Sequence, residues 1–246
     1  MHLSILTGAS RGLGRAVAAQ LLARGHHVLA LSRQLTDLAV PAGGRLTAWS
    51  VDLADAAPVA QRLSTWLAGQ DAGGIKSATL INNAGVVSRL APLSAVEADD
   101  MVHALRVGLE APTLLTAAFL RATEGWAAAR KVVLVSSGLG RRAMAGSASY
   151  CAAKAGLDHL ARAVALEEQA KPNGARIVSL APGVIDTDMQ VQLRSADATL
   201  FPERERFIGL QADGQLDSPD VAAAKLLKYL DRPGFGEPPV GDVRDS

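Results

Sequence analysis

Lys131–Lys154, KVVLVSSGLGRRAMAGSASYCAAK, joins a strand pattern to a helix start and carries three reactive side chains at the junction. Val132–Val135 is a continuous apolar, mostly β-branched run, which suits the interior of a parallel sheet covered on both faces. Ser136 and Ser137 follow where that strand ends, the edge at which open α/β sheets bind ligands. After a glycine-containing loop, SYCAAKAGLDHLARAVALEE has helical periodicity, so Tyr150 and Lys154 fall at i and i+4 on one face. A phenol ordinarily titrates near pKa ~10, and a neighbouring cation lowers that value towards the range useful for proton transfer. Ser137 is placed to hold a carbonyl while Tyr150 protonates a developing alkoxide. Taken alone, the spacing also reads as a serine pair ending a strand and an aromatic-lysine pair on a helix.

Upstream, Leu3–Thr7 predicts a first strand, and TGASRGLG, Thr7–Gly14, opens the helix RAVAAQLLARG. A strand, a glycine turn and a helix start form a pyrophosphate cradle: glycine lets the backbone approach the ligand, and the free amides of the helix attract negative charge. Gly8, Ser10, Arg11, Gly12, Leu13 and Gly14 are the candidate contacts. HHVLALSR predicts a second strand ending at Arg33, where NAD-preferring folds usually carry an acidic residue. Two guanidiniums, Arg33 and Arg11, instead suit the 2′-phosphate of NADPH, and each also reads as an ordinary solvated arginine.

Arg45–Val51 predicts a third strand, with Asp52 and Leu53 after it where an adenine would lie, and Asp55–Gly69 a helix. Thr79–Asn82 predicts a fourth strand ending in Asn83-Ala84-Gly85, whose small residues let a cofactor pack close; asparagine here also reads as a tie between strands. The stretch Glu97–Glu124, with Pro112 inside it, predicts two helices or one interrupted helix. Beyond the Tyr150 helix, Ala175–Leu180 predicts a strand ending in APGVIDTDM, with a turn at Pro182-Gly183 and a hydroxyl at Thr187. The weakly patterned region at about 188–216 leaves that strand end and is expected to be a substrate lid. Ser218 is expected to cap the helix PDVAAAKLLKYLD, and the tail GEPPVGDVRDS to hold one last short strand.

The 246 residues, 49% of them hydrophobic, predict a single α/β domain over 1–246. A balance of 25 basic against 24 acidic side chains gives no reason to expect nucleic acid or an anionic membrane as partner. One cysteine, Cys151, permits no internal disulfide, which fits a reducing, cytoplasmic setting. No apolar run approaches the ~20 residues of a membrane span, and the five histidines show no metal-ligand spacing.

The order TGASRGLG, NNAG, a strand ending in SS, YCAAK and APGVIDT resembles the short-chain dehydrogenase/reductase family across nearly the whole chain. The resemblance implies a Rossmann-type doubly wound parallel sheet of seven strands with helices on both faces, NADP as cofactor, and catalysis by Ser137, Tyr150 and Lys154. The family spacing of thirteen between serine and tyrosine selects Ser137 over Ser136. By the same resemblance Tyr150 is the general acid, Lys154 binds the nicotinamide ribose, and Ile185 and Thr187 hold the carboxamide. The segments YCAAKAGLDHLARAVALEE, APGVIDTDMQ, RFIGLQADGQL and the tail look like the sepiapterin reductases and bacterial benzil reductases within that family. This implies reduction of aromatic-linked ketones and vicinal dicarbonyls, with Ser137, Tyr150, Gly183 and Asp242 as substrate contacts and a homodimer or homotetramer as the assembly. Asp242 also reads as an exposed tail carboxylate.

Two positions depart from the pattern. Gly108 stands where the family carries an asparagine that kinks the helix and places a relay water, and Ser147 stands where close relatives have tryptophan, implying a wider pocket. Rival readings are another dehydrogenase of the family, acting on an alcohol or a carrier-bound ketone, and a regulator that binds NADPH without turnover.

Overall fold

Residues 1–35 and 37–245 are described by the computed structural model. Its strands are β1 (His2–Thr7), β2 (His27–Ser32), β3 (Arg45–Ser50), β4 (Ser77–Asn82), β5 (Ala129–Val135), β6 (Arg176–Ala181) and β7 (Val240–Asp242). They form one parallel sheet in the order β3-β2-β1-β4-β5-β6-β7. The short tail strand is β7, which pairs with β6 through Ala181 and Asp242. Every residue of β2 is buried, as expected of a strand covered on both faces.

The helices are α1 (Gly12–Ala23), α2 (Ala56–Ala68), α3 (Ala98–Leu105), α4 (Ala111–Thr123), α5 (Ala148–Gln169), α6 (Asp188–Arg194), α7 (Arg204–Ala212) and α8 (Pro219–Asp231). Alternate residues of the strands feed two separate cores. Ile5, Leu80, Val132 and Leu134 pack with Leu63, Leu115, Phe119 and Leu157 of α2, α4 and α5. Leu6, Ile81, Val133 and Val135 pack with Val17 and Leu21 of α1 and with Leu226 and Leu227 of α8. This period of two is what places helices on both faces of one sheet.

The expected interruption is present: Arg106–Glu110 forms a π-helical turn centred on Gly108, just before Pro112. The residues at both junctions keep helical backbone, so Pro112 lies within one distorted helix and lacks the N–H that would bond the Gly108 carbonyl one turn earlier. Ser218 caps α8 as expected, its hydroxyl accepting from the Val221 amide.

The excursion after β6 is closed at its base by a parallel bridge between Ile185 and Asp217, with Asp217 N–H donating to the Val184 carbonyl at 2.9 Å. Between these points lie α6 and α7, and Leu193 of α6, Phe201 of the connection and Phe207 of α7 pack on Leu90 and Met144 in a third apolar cluster. The two phenylalanine rings stack with centroids 5.9 Å apart. Among the described residues no helix is long and apolar enough to cross a membrane.

Phe119 is fully buried between α4 and the sheet. Phe119→Ala is expected to cost about 3–5 kcal/mol through lost transfer energy and a residual cavity. Urea unfolding measures it; a loss under about 1 kcal/mol would show that this core collapses around the deletion.

Candidate active site

β1 borders both β2 and β4, so the chain changes direction there and opens a cleft at the carboxyl ends of the strands. The glycine turn between β1 and α1 lines it. Gly8 and Gly12 have φ of +70° and +51°. A Cβ on Gly14 would lie 2.1 Å from the Gly8 carbonyl oxygen, so only glycine lets the turn close on the helix. Arg11 caps α1 with no side-chain hydrogen bond to the helix amides, leaving them directed at the cleft. These features fit a dinucleotide pyrophosphate.

The turn is fastened to the end of β4. Thr7 Oγ1 accepts from the amides of Asn83 and Ala84, both at 2.9 Å, and Asn83 Nδ2 donates to the carbonyls of Thr7 at 3.0 Å and Gly8 at 3.3 Å. The asparagine side chain is thus spent on tying strands together, and the small Ala84-Gly85 pair faces the cleft. A Cβ on Gly85 would stand 3.6 Å from Lys154 Nζ.

Arg33 is exposed at the end of β2, and Arg11 is exposed and paired with Asp188 at 2.9 Å. A third guanidinium, unremarked in the sequence, joins this end: Arg15 pairs with Asp37 at 2.5 Å, and holds that carboxyl below its usual range. Its position directly after Gly14 was the available signal. Asp52 Oδ1 accepts from the Ala54 amide at 2.9 Å, while the Leu53 side chain belongs to the core.

Ser137 ends β5 in extended backbone and caps a 3₁₀ turn, Gly138–Gly140, its Oγ accepting from the Leu139 amide at 3.2 Å. Tyr150 lies in the first turn of α5, where Ser137 acts to lower the pKa of its phenol. One turn on, Lys154 is only 4% exposed. Its Nζ donates to the Val135 carbonyl at 2.7 Å and lies 5.4 Å from the centre of the Tyr150 ring.

The expected depression of the phenol pKa is not met in this structure. Burial pushes Tyr150 up to about 12, against a lowering influence from Ser137. The same dry environment pushes Lys154 down to about 8, with Asp158 acting in the opposite direction. Desolvation outweighs the lowering influence of Ser137, and the result is a phenol that holds its proton at neutral pH, the form a general acid requires.

Pro182 and Gly183, the latter at φ +86°, turn the chain after β6. Ile185 is buried at the lid base, and Thr187 caps α6 with its Cγ2 3.3 Å from where a Gly12 Cβ would stand. The loops after β1 and β6 therefore meet across the cleft. Asp242 is 5% exposed, which corrects the reading of an exposed tail carboxylate. Arg244 grips both its oxygens, Nε to Oδ1 at 2.8 Å and Nη2 to Oδ2 at 2.6 Å, and holds its pKa down.

Ser147 is buried with its hydroxyl donating to the Met144 carbonyl at 3.1 Å. Cys151, beside Tyr150, packs with Leu139 and Val87 against the Phe201–Phe207 cluster, so Tyr150 is flanked by apolar side chains where the excursion after β6 folds back. Gly108 is buried against α5; a Cβ there would meet Ala153 Cβ at 3.3 Å. The helix keeps a distortion at this point and offers no side-chain amide.

A second group missed in the sequence is Asp158, buried one turn beyond Lys154 and bonded to Ser136, Ser179 and Arg141. Its signal was the continuing i+4 spacing.

The family model described as short chain dehydrogenase matches residues 3–198. A benzil reductase ((S)-benzoin forming) of Bacillus cereus is 34% identical over 247 residues, covering 99% of this chain and 98% of the relative. A sepiapterin reductase of Meriones unguiculatus is 32% identical, with coverage of 94% and 92%. A solved Agrobacterium tumefaciens protein with bound NADP superposes with a TM-score of 0.79 at 27% identity, covering 98% of this chain and 94% of its own.

The buried lysine carries a stability signature. With a folded pKa of about 8 against 10.5 for a free lysine, the native state binds fewer protons than the unfolded chain between those values. Native stability therefore rises with pH across that window. Relative to Lys154→Met, the wild type is expected to gain stability between pH 8 and pH 10, below the range in which Tyr150 acts with opposite sign. Urea unfolding of both proteins across that range checks it, and a pH-independent difference would contradict the burial of the ammonium.

Proposed function

The chain belongs to the short-chain dehydrogenase family, and from that membership we propose that it is an NADPH-dependent carbonyl reductase acting on ketones or vicinal dicarbonyls with aromatic substituents. The observation that carries this reading is the Ser137–Tyr150–Lys154 arrangement at the strand ends, with Lys154 Nζ held by the Val135 carbonyl 5.4 Å from the centre of the Tyr150 ring.

Gly8, Ser10, Arg11, Gly12, Leu13 and Gly14 would hold the pyrophosphate, Asp52 and Leu53 would border the adenine, and Ala84, Gly85, Pro182, Gly183, Ile185 and Thr187 would border the nicotinamide end. Bound in this cradle, the nicotinamide supplies the hydride that reduces the carbonyl carbon. Ser137 Oγ orients the carbonyl oxygen and donates to it as negative charge develops. Tyr150 transfers its phenolic proton to that oxygen, giving the alcohol. The Lys154 ammonium, held by the Val135 carbonyl, stabilises the phenolate left behind and binds the ribose. NADPH over NADH is supported by Arg33, Arg11 and Arg15 at the far end and by the NADP held in the Agrobacterium tumefaciens neighbour.

The apolar lid side, with Phe207, Met144 and Cys151, favours a flat aromatic substituent, in keeping with the named activity of the Bacillus cereus relative. For Asp242 to anchor a substrate, it would have to release Arg244. Val102, Leu105 and Leu166 expose apolar surface on α3 and α5, which supports the proposed homodimer or homotetramer. The lone cysteine is compatible with the cytoplasm.

NADPH oxidation with benzil, sepiapterin and simple ketones tests the reading. Tyr150→Phe is expected to lower turnover by roughly 10²–10⁴ with NADPH binding retained. Cofactor binding with no reduction across the panel would favour the regulator reading instead. Removing one charge-assisted phosphate contact with Arg33→Ala should weaken NADPH about tenfold and leave NADH unchanged, as read by fluorescence titration. Equal weakening of both cofactors would place Arg33 outside 2′-phosphate recognition.

A further inference from the structure

The Tyr150, Lys154 stripe on α5 continues for another turn to a carboxylate that the proposed reaction does not use. Asp158 is 1% exposed. Its Oδ1 accepts from Ser136 Oγ at 2.7 Å and Ser179 Oγ at 2.6 Å, and its Oδ2 from Arg141 Nε at 3.2 Å. These donors come from the end of β5, from β6 and from the turn behind Ser137. A buried carboxylate with this many partners is costly to assemble unless it is held for a purpose or for specificity of packing.

Two geometric details connect it to the reacting groups. Just past β5 the neighbouring serines serve different partners: Ser136 Oγ reaches Asp158, while Ser137 Oγ accepts from the Leu139 amide and caps the turn that follows. The Gly138–Gly140 turn then closes directly on the helix: a Cβ on Gly140 would stand 2.8 Å from Asp158 Oδ2 and 2.9 Å from the Lys154 carbonyl oxygen. Arg141, the next residue, spans from Asp158 to the Gly241 carbonyl at 2.9 Å, which also ties β7 to this node.

We infer that Asp158 is a positioning residue of the reaction, clamping the Ser137 turn onto the catalytic helix and supplying the negative charge opposite the buried Lys154 ammonium. The inference rests on the proposed role of Lys154 as a cation in catalysis. Among the described residues, the titratable and charged groups on this side of α5 are Tyr150, Cys151 and Asp158 on its own helix and Arg141 on the far oxygen of Asp158, while the groups that the neighbouring elements bring to the ammonium, the Val135 carbonyl and Gly85, are uncharged. Asp158 is the group that raises the lysine against its burial. The i+4 spacing sets the two side chains one above the other, the geometry in which opposite charges support each other on a helix.

The test follows the 13Cε resonance of Lys154 against pH in lysine-labelled protein, assigned with Lys154→Met, which needs no turnover. Asp158→Asn is expected to lower the Lys154 midpoint from about 8 by about one unit. Ser179→Ala removes a hydrogen bond and leaves the charge, so it should lower the melting temperature without moving the midpoint. The alkaline limb of kcat/KM for carbonyl reduction should shift with the midpoint in Asp158→Asn and stay in place in Ser179→Ala. Asp158→Thr, small and neutral, replaces the asparagine variant if that one does not fold, with the same shift expected. An unmoved midpoint in the neutral variants, with only a loss of thermal stability, overturns the inference and leaves Asp158 a packing residue. A moved midpoint in a protein that reduces no carbonyl supports the electrostatic role and refutes the proposed function instead.

Discussion

The burial of one ammonium sets the terms for the whole site. An isolated charge taken out of water is strongly unfavourable, so it survives only with partners or by losing its proton. Lys154 does some of each. Its Nζ is satisfied by the Val135 carbonyl at the end of β5, and its proton affinity has dropped towards neutrality. That carbonyl is free to accept because β5 stops pairing there and the chain turns at Ser136 and Ser137. The same strand end thus creates the acceptor for the lysine and the hydroxyl for the phenol. The parallel order matters for this reason: it brings the ends of β1, β4, β5 and β6 to one edge, where their loops share a single dry cleft.

Desolvation also divides the work between the two side chains of the stripe. Burial acts on both by disfavouring charge, so it raises the phenol and lowers the ammonium. In the resting protein the proton sits on Tyr150. Transferring it creates a phenolate beside a cation, a pair far better matched than either charge alone in that environment. A pKa of about 12 keeps the proton on the phenol at neutral pH, the form from which it can be donated.

Much of this frame was legible in the sequence. The strands announced themselves as short apolar runs, and the Thr7–Gly14 turn and the Tyr150–Lys154 spacing are local patterns whose geometry follows from helix and turn stereochemistry. The interrupted helix over Glu97–Glu124 was legible from Pro112, but the form of the interruption, a π-helical turn over Arg106–Glu110, was not. Other features are contacts between distant segments: Asn83 with Thr7 and Gly8, Arg15 with Asp37, Asp158 with Ser136 and Ser179. Spacing along the chain encodes none of these. Asp242 shows the same limit, since a carboxylate in a polar tail gives no hint that a strand pairing will bury it beside Arg244.

The excursion after β6 and the β7 tail differ in chemistry. In the excursion, Phe201 and Phe207 stack and bury themselves with Met144 and Leu90, an arrangement held by apolar area. On the β7 side, Asp242 and Arg244 neutralise each other in a two-point ion pair, so neither presents an unmatched charge. A ligand that needs the carboxylate must replace a guanidinium that already fits it, and a ligand without polar substituents loses nothing by leaving the pair closed. For the proposed reductase, discrimination between aryl ketones and hydrogen-bonding heterocycles would turn on the Asp242–Arg244 contact, while Ser137, Tyr150 and Lys154, held after β5 and on α5, would serve both.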